Sequence, residues 1–250
     1  MKPRIQCVRP ASGSGIGQDL KGAEGDGGAR ASVRSVKKGF LLATPGSRGP
    51  TLVRMNDRLV WIDCEMTGLD IERDALIEIA CLVTDAQLNL LDEGIDLIIK
   101  PPAEALESMP EIVREMHTAS GLLAELPGGI AVAEAAELVL GYVRGHVSEA
   151  RKVPLCGNSI ATDRWFIARD MPELDAYLHY RMVDVSSIKE LARRWYPRVY
   201  FASPGKHGGH RALADIKESV QELRYYREAL FVPQPGPDSA TARAIAARYS

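Results

Sequence analysis

Leu59, Val60, Trp61 and Ile62 form an apolar run that gives way to alternation at Asp63, Cys64, Glu65 and Met66. Large and β-branched residues followed by a period of two predict a strand over 58–66. Ile77–Thr84 (IEIACLVT) and Ile95–Lys100 (IDLIIK) predict two more, with Asp85-Ala86-Gln87-Leu88-Asn89 as the turn between them. Strands joined by short links imply an antiparallel meander. The spacing then lengthens. Thr118 is the expected N-cap of a short helix that ends near Pro127-Gly128-Gly129. Val132, Ala136, Val139 and Val143 recur at helical intervals. Val153–Gly157 predicts a short strand and 161–170 a helix. Met182–Val185 predicts another strand, and Ser186 to Trp195 a helix. Leu213, Ile216, Val220 and Leu223 mark a long helix over 211–230, and PQPGP from Pro233 breaks the pattern. The succession predicts an α/β fold: a mixed sheet of meander strands and then alternating strands and helices, flanked by helices on both sides.

Charge divides the chain more sharply than its net value of −2 suggests. Residues 1–54 hold ten Lys or Arg against three acids, a surplus of +7, and ten of the 22 glycines. The remaining 196 residues therefore carry −9. Apart from Phe40-Leu41-Leu42-Ala43 the leader shows no apolar periodicity, and its composition predicts disorder. It lacks the apolar core of a secretory signal, and its glycines and acids argue against a transit peptide. The expected domain organisation is a leader over 1–54, one enzyme domain over 55–232, and a tail over 233–250. No apolar run approaches the ~20 residues that span a bilayer, so no membrane partner is expected. Cys7, Cys64, Cys81 and Cys156 form no C-x-x-C pair and read as small buried residues of a reducing, cytoplasmic compartment. An acidic body suits a small, metal-neutralised anion better than a long nucleic acid, which calls for a basic footprint.

The candidate chemistry starts from Asp63 and Glu65. Two residues apart on a strand, their carboxylates leave the same face and repel each other. An isolated pair of this kind is most often just solvated. The alternative is that a divalent cation sits between them, since hard cations take carboxylate oxygens. Asp163 in GNSIATDRWF opens the helix after a strand, a junction where ligands collect in α/β sheets. Taken alone it reads equally as an acid at the positive end of a helix. His207-Gly208-Gly209-His210 leads into the last helix, and Asp215 follows five residues after His210. A histidine beside an acid can serve as a general base near neutral pH.

Together these positions resemble the DEDD exonuclease superfamily, in the branch with a histidine base, on a ribonuclease H-like fold. The longer segments WIDCEMTGLD, HTASGL, GNSIATDRWF, HYRMVDVSSIKELARRWYP and HRALADIKES are similar to the oligoribonuclease family, over about residues 55–230. The resemblance implies a 3′-to-5′ exoribonuclease that degrades very short single-stranded RNA to 5′-mononucleotides. Asp63, Glu65, Asp163 and Asp215 would hold two divalent cations, Mg²⁺ or Mn²⁺, and His210 would take the proton from the attacking water. It also implies that Leu69 wedges between the last two bases and that His117 and Ser159 contact the substrate, with Ser186 near the far phosphate. Tyr180 and Arg181 would reach across a homodimer interface to the 5′ phosphate. One position departs: Ile112 stands where many relatives carry an aromatic residue. A DNA-proofreading exonuclease shares the five site residues, and the HYRMVDVS segment argues against it. A non-catalytic nucleic-acid-binding or scaffold protein would not need all five.

Overall fold

The computed structural model describes residues 57–205 and 209–250. The leader over 1–54, the domain start at Met55, Cys7, and His207-Gly208 lie outside the described residues. The elements run β1 (Leu59–Met66), β2 (Leu76–Thr84), β3 (Ile95–Ile98), α1 (Ala103–Glu107), α2 (Glu111–Ala119), α3 (Leu122–Glu125), a 3₁₀ turn (Leu126–Gly128), α4 (Val132–His146), β4 (Pro154–Gly157), α5 (Ala161–Asp170), α6 (Pro172–Tyr177), β5 (His179–Asp184), α7 (Val185–Trp195), α8 (Pro197–Phe201), α9 (Ala212–Leu230) and α10 (Ser239–Ala246).

The strands form one sheet in the order β3-β2-β1-β4-β5. β1 pairs antiparallel with β2, and β2 with β3, which is the expected meander. β4 and β5 run parallel to β1. Alternation along β1 separates two cores. Val60, Ile62 and Cys64 face one way, against Ala135, Val139 and Val143 of α4 and Phe166 and Ile167 of α5. Trp61, with Ala80 and Leu82 of β2, faces Ala212, Ile216, Val220 and Leu223 of α9. Burial of each such aliphatic side chain stabilises by roughly 1.5–3 kcal/mol. Asp63 and Glu65 continue the face of Trp61, so the acids emerge where the α9-side core ends. The Trp61 Nε1–H donates to Thr84 Oγ1 at 3.1 Å and closes the opposite end of that face. Gly157 ends β4 because a Cβ there would lie 3.1 Å from the Ile62 carbonyl oxygen and 2.8 Å from Ile160 Cδ1.

Several elements differ from the sequence expectation. Thr118 does not cap a helix; it lies near the end of α2, where its hydroxyl donates to the Arg114 carbonyl at 2.7 Å. Pro110, with φ −57°, instead opens that helix. α2 was not foreseen, although Ile112, Val113, Met116 and Ala119 recur in it at helical spacing. β5 begins at His179 rather than Met182: it is an edge strand with largely exposed residues and no clean alternation. Val185 belongs to α7, which Asp184 caps by accepting the Ser186 N–H at 2.9 Å. α10 forms within the expected tail, capped by Asp238, which accepts the Thr241 N–H at 2.7 Å. Its alanine-rich sequence favours helix without any core to pack on.

Candidate active site

Strand β1 delivers Asp63 and Glu65, α5 delivers Asp163, and the start of α9 delivers His210 and Asp215. Glu65, His210 and Asp215 offer ligand atoms that all lie within 4.8 Å of one another. Asp163 reaches the same end of β1 from the opposite face: its Oδ1 accepts the Cys64 N–H at 2.9 Å. Asp163 and Glu65 are buried, and His210 is exposed. His210 has φ of 46°, in the left-handed region that disfavours a residue with a side chain.

The electrostatics are those of carboxylates crowded without enough counter-charge. Burial pushes the Glu65 carboxyl up to about 8, and the negative charges of Asp215, Glu78 and Asp163 push the same way, partly offset by Arg211. Burial pushes Asp163 up to about 7, against the hydrogen bond from Cys64. The Cys64 thiol is held well above its ordinary range by burial and then by the charges of Asp163, Asp63 and Glu65. It is a packed side chain, not a nucleophile. His117 is fully buried behind Glu65. Its Nε2 bonds the Met66 carbonyl oxygen at 2.9 Å, so Nε2 carries the hydrogen and Nδ1 presents a lone pair. That Nδ1 makes no hydrogen bond and lies 4.0 Å from Glu65 Oε2. Burial lowers the His117 pKa, opposed by the bond to Met66. An orphaned buried nitrogen beside acids that resist ionisation fits a site built around a cation, and an all-carboxylate set suits Mg²⁺ or Mn²⁺.

The remaining expected positions line the surroundings. Leu69 projects from the loop after β1 and is 74% exposed. Asp74 staples that loop by accepting the Thr67 hydroxyl at 3.0 Å and the Asp70 N–H at 2.7 Å. Ile112 is 75% exposed on α2, above a cleft of about 470 Å³ that His210, Gly209 and Met116 also line. Ser159 and Ser186 sit at the β4–α5 and β5–α7 junctions with hydroxyls 3.1 Å apart, and the Ser159 N–H donates to Ser186 Oγ at 2.9 Å. Tyr180 and Arg181 stand apart on the edge strand: Arg181 Nε donates to the Tyr180 hydroxyl at 3.2 Å, and Tyr180 is 73% exposed. A larger cavity of about 570 Å³ lies at the far end of α9 among Leu59, Leu88, Leu223 and Phe231. No acid lines it, and the chemistry lies elsewhere.

Glu78, Glu125 and Arg211 escaped sequence reading. Glu78 is fully buried on β2, directly opposite Glu65 in the ladder. The available signal was a single charged residue inside the apolar run IEIACLVT.

Acids gathered at the end of a ribonuclease H-like sheet, with a histidine on the adjoining loop, define a nuclease of the exonuclease class. The exonuclease family model matches residues 60–223. An oligoribonuclease of Streptomyces coelicolor is 72% identical over 195 residues, which is 78% of this chain and 98% of that protein. One from a Mycobacterium species is 62% identical over 194 residues, 77% of this chain and 90% of the relative. The chain belongs to the oligoribonuclease family of exonucleases. Solved structures share the fold at lower identity. Exonuclease I of Methylocaldum szegediense aligns with TM-score 0.52 and 20% identity over 72% of this chain. The zinc-bound E. coli exonuclease I complex with single-stranded DNA aligns with TM-score 0.55 and 13% identity over 70%. The chain spans about 41% of the length of each of these larger proteins.

Proposed function

We propose that this protein is a 3′-to-5′ exoribonuclease that cleaves very short RNA, from dinucleotides upward, to 5′-mononucleotides. The observation that carries the reading is the convergence of Glu65, His210 and Asp215 within 4.8 Å, beside the buried Asp163, in a chain 72% identical to an oligoribonuclease. Asp63, Glu65, Asp163 and Asp215 would hold two divalent cations, Mg²⁺ or Mn²⁺. When bound, such ions supply Lewis-acid stabilisation of the charge that builds on the phosphate and acidify the attacking water.

The chain's own groups do the rest. His210 accepts the proton from the attacking water at its imidazole, and its exposure lets that proton pass to solvent. The water oxygen bonds to phosphorus as the bond to the 3′ oxygen breaks, and that oxygen leaves with a proton drawn from solvent. Leu69 and Ile112, two exposed apolar side chains flanking the site, grip the terminal bases by contact that ignores base identity. The aliphatic Ile112 provides less than the ~1–3 kcal/mol of an aromatic stack. His117, whose Nδ1 lies 4.0 Å from Glu65 Oε2, would contact the substrate beside that acid, and Ser159 and Ser186 offer hydroxyls to a phosphate.

Tyr180 and Arg181 complete the site of a two-fold partner by binding the 5′ phosphate, which sets a short substrate length. Exposed Trp165, Tyr180, Met182, Trp195 and Phe201 offer apolar surface to such an interface. Among the described residues no helix is long and apolar enough to cross a membrane. Three buried free cysteines support a reducing compartment, read as the cytoplasm.

The test is a chain-length series of two-, five- and twenty-residue RNAs with and without Mn²⁺. Fastest metal-dependent turnover of the dinucleotide is expected; preference for the longest RNA overturns the reading. The shared site is tested by mixing Asp163→Ala and Arg181→Ala subunits. Each alone should be nearly inactive on a dinucleotide, and exchange should restore about a quarter of the sites, from the symmetry of a two-fold dimer. Confirmed exchange without recovery removes Arg181 from the partner's site.

A further inference from the structure

Glu78 is the single charged residue of β2, and it is fully buried. Both of its oxygens are committed to the segment that follows His210. Oε1 accepts from Arg211 Nε at 2.8 Å, and Oε2 accepts the Ala212 N–H at 3.1 Å. The other edge of the same guanidinium grips Glu125 at the end of α3, with Nη1 to Oε1 at 2.8 Å and Nη2 to Oε2 at 3.1 Å. One planar fork thus joins β2, α3 and the N-terminus of α9. A lysine could neutralise Glu78 but could not span both acids in this way.

The residue just before this clamp is His210, with its left-handed backbone. Such a conformation persists in a residue with a side chain only where the surroundings over-determine it. α9 itself is anchored independently, by the burial of Ala212, Ile216 and Val220 against the sheet. Asp215 rides on that anchored helix. What the apolar stripe does not hold is the turn ahead of it.

We propose that Arg211, bridging Glu78 and Glu125, is the positioning residue for His210: it pins the backbone turn that brings the imidazole beside Glu65 and Asp215. This rests on the reading of His210 as the general base. A buried ion pair is a poor source of stability, since desolvation offsets attraction. Its value here is placement.

The test is a double-mutant cycle on dinucleotide hydrolysis, with Mn²⁺ binding by calorimetry and a thermal midpoint for every variant. Arg211→Gln should lower kcat by ~10²-fold, the scale of a misplacement of about 1 Å. KM and Mn²⁺ affinity should stay within about 3-fold, because neither depends on the turn. Arg211→Lys should recover little of the loss, since it restores charge without the fork. In a His210→Ala background the Arg211→Gln change should cost less than about 2-fold further, because the clamp acts through the base. Losses that multiply in the double variant, or full activity in Arg211→Lys, overturn the clamp while leaving the base in place. Wild-type kcat in His210→Ala overturns the base reading itself. If Arg211→Gln fails to fold, Glu125→Gln removes only the partly solvated outer arm. It should lower kcat by about 3- to 10-fold, a part of the full misplacement effect, with the same non-additivity toward His210→Ala.

Discussion

Glu65 and Glu78 face each other across the β1–β2 ladder, the same residue type, with Glu78 fully buried and Glu65 nearly so. Glu78 has a guanidinium and a backbone N–H on its two oxygens. Glu65 instead has the uncharged His117 Nδ1 at 4.0 Å, and its carboxyl is pushed up to about 8 by burial and neighbouring acids. A buried acid supplied with its own cation belongs to the framework. A buried acid left among other acids marks where a cation from outside belongs. The sheet carries both kinds side by side, one strand apart.

The strongest way to break this contrast is to delete acids of the site. Glu65→Ala and Asp163→Ala should each abolish turnover and weaken Mn²⁺ binding, whereas Glu78→Gln should still bind Mn²⁺ with near wild-type affinity. Loss of ion binding in Glu78→Gln would erase the distinction. His210→Ala comes next: it should keep Mn²⁺ and lose ~10²–10⁴ in rate, the usual contribution of a general base.

Stability should then separate the two glutamates by sign. In metal-free protein near pH 8, Glu65→Gln should raise the unfolding free energy, by about 1 kcal/mol or more, because it removes repulsion and charge desolvation. Glu78→Ala should lower it by about 1–3 kcal/mol, since it leaves the buried Ala212 N–H without its acceptor and Arg211 with Glu125 alone. Denaturant titrations measure both, and a common sign would refute the contrast.

A smaller effect should follow pH. Glu65 and Asp163 have folded-state values raised to about 8 and about 7. Between their unfolded values and these, the folded state binds more protons than the unfolded one. Stability of the metal-free protein should therefore be greatest below about pH 4 for these two groups and decline as pH rises to about 8. Saturating Mn²⁺ should flatten or reverse the slope over the same range. Thermal midpoints with and without Mn²⁺ show whether that happens. The smallest expected effect is that of the leader. We propose that residues 1–54 are dispensable, so a chain starting at Met55 should match the full chain in kcat and in midpoint.

Local periodicity carried much of the fold. The meander, α4 and α9 were legible because β1 alternates, β2 is an unbroken apolar run followed by a turn, and α4 and α9 repeat apolar positions at helical spacing; α5 carries no such stripe. α1, α6 and α8 were not legible, being five or six residues long with no stripe to count. β5 was half legible, since an edge strand need not bury either face. Asp63, Glu65, Asp163, His210 and Asp215 were recognised from the words around them, and the structure brings Glu65, His210 and Asp215 together.

What the sequence determined by itself was the pair of acids on one strand face, because a strand's alternation is a property of neighbouring residues. What only the tertiary structure decided was which buried glutamate is satisfied. Arg211 reaches Glu78 from 133 positions away, and no pattern near either residue announces the pairing. Chain neighbours set where a side chain points; what meets it there depends on how distant segments pack.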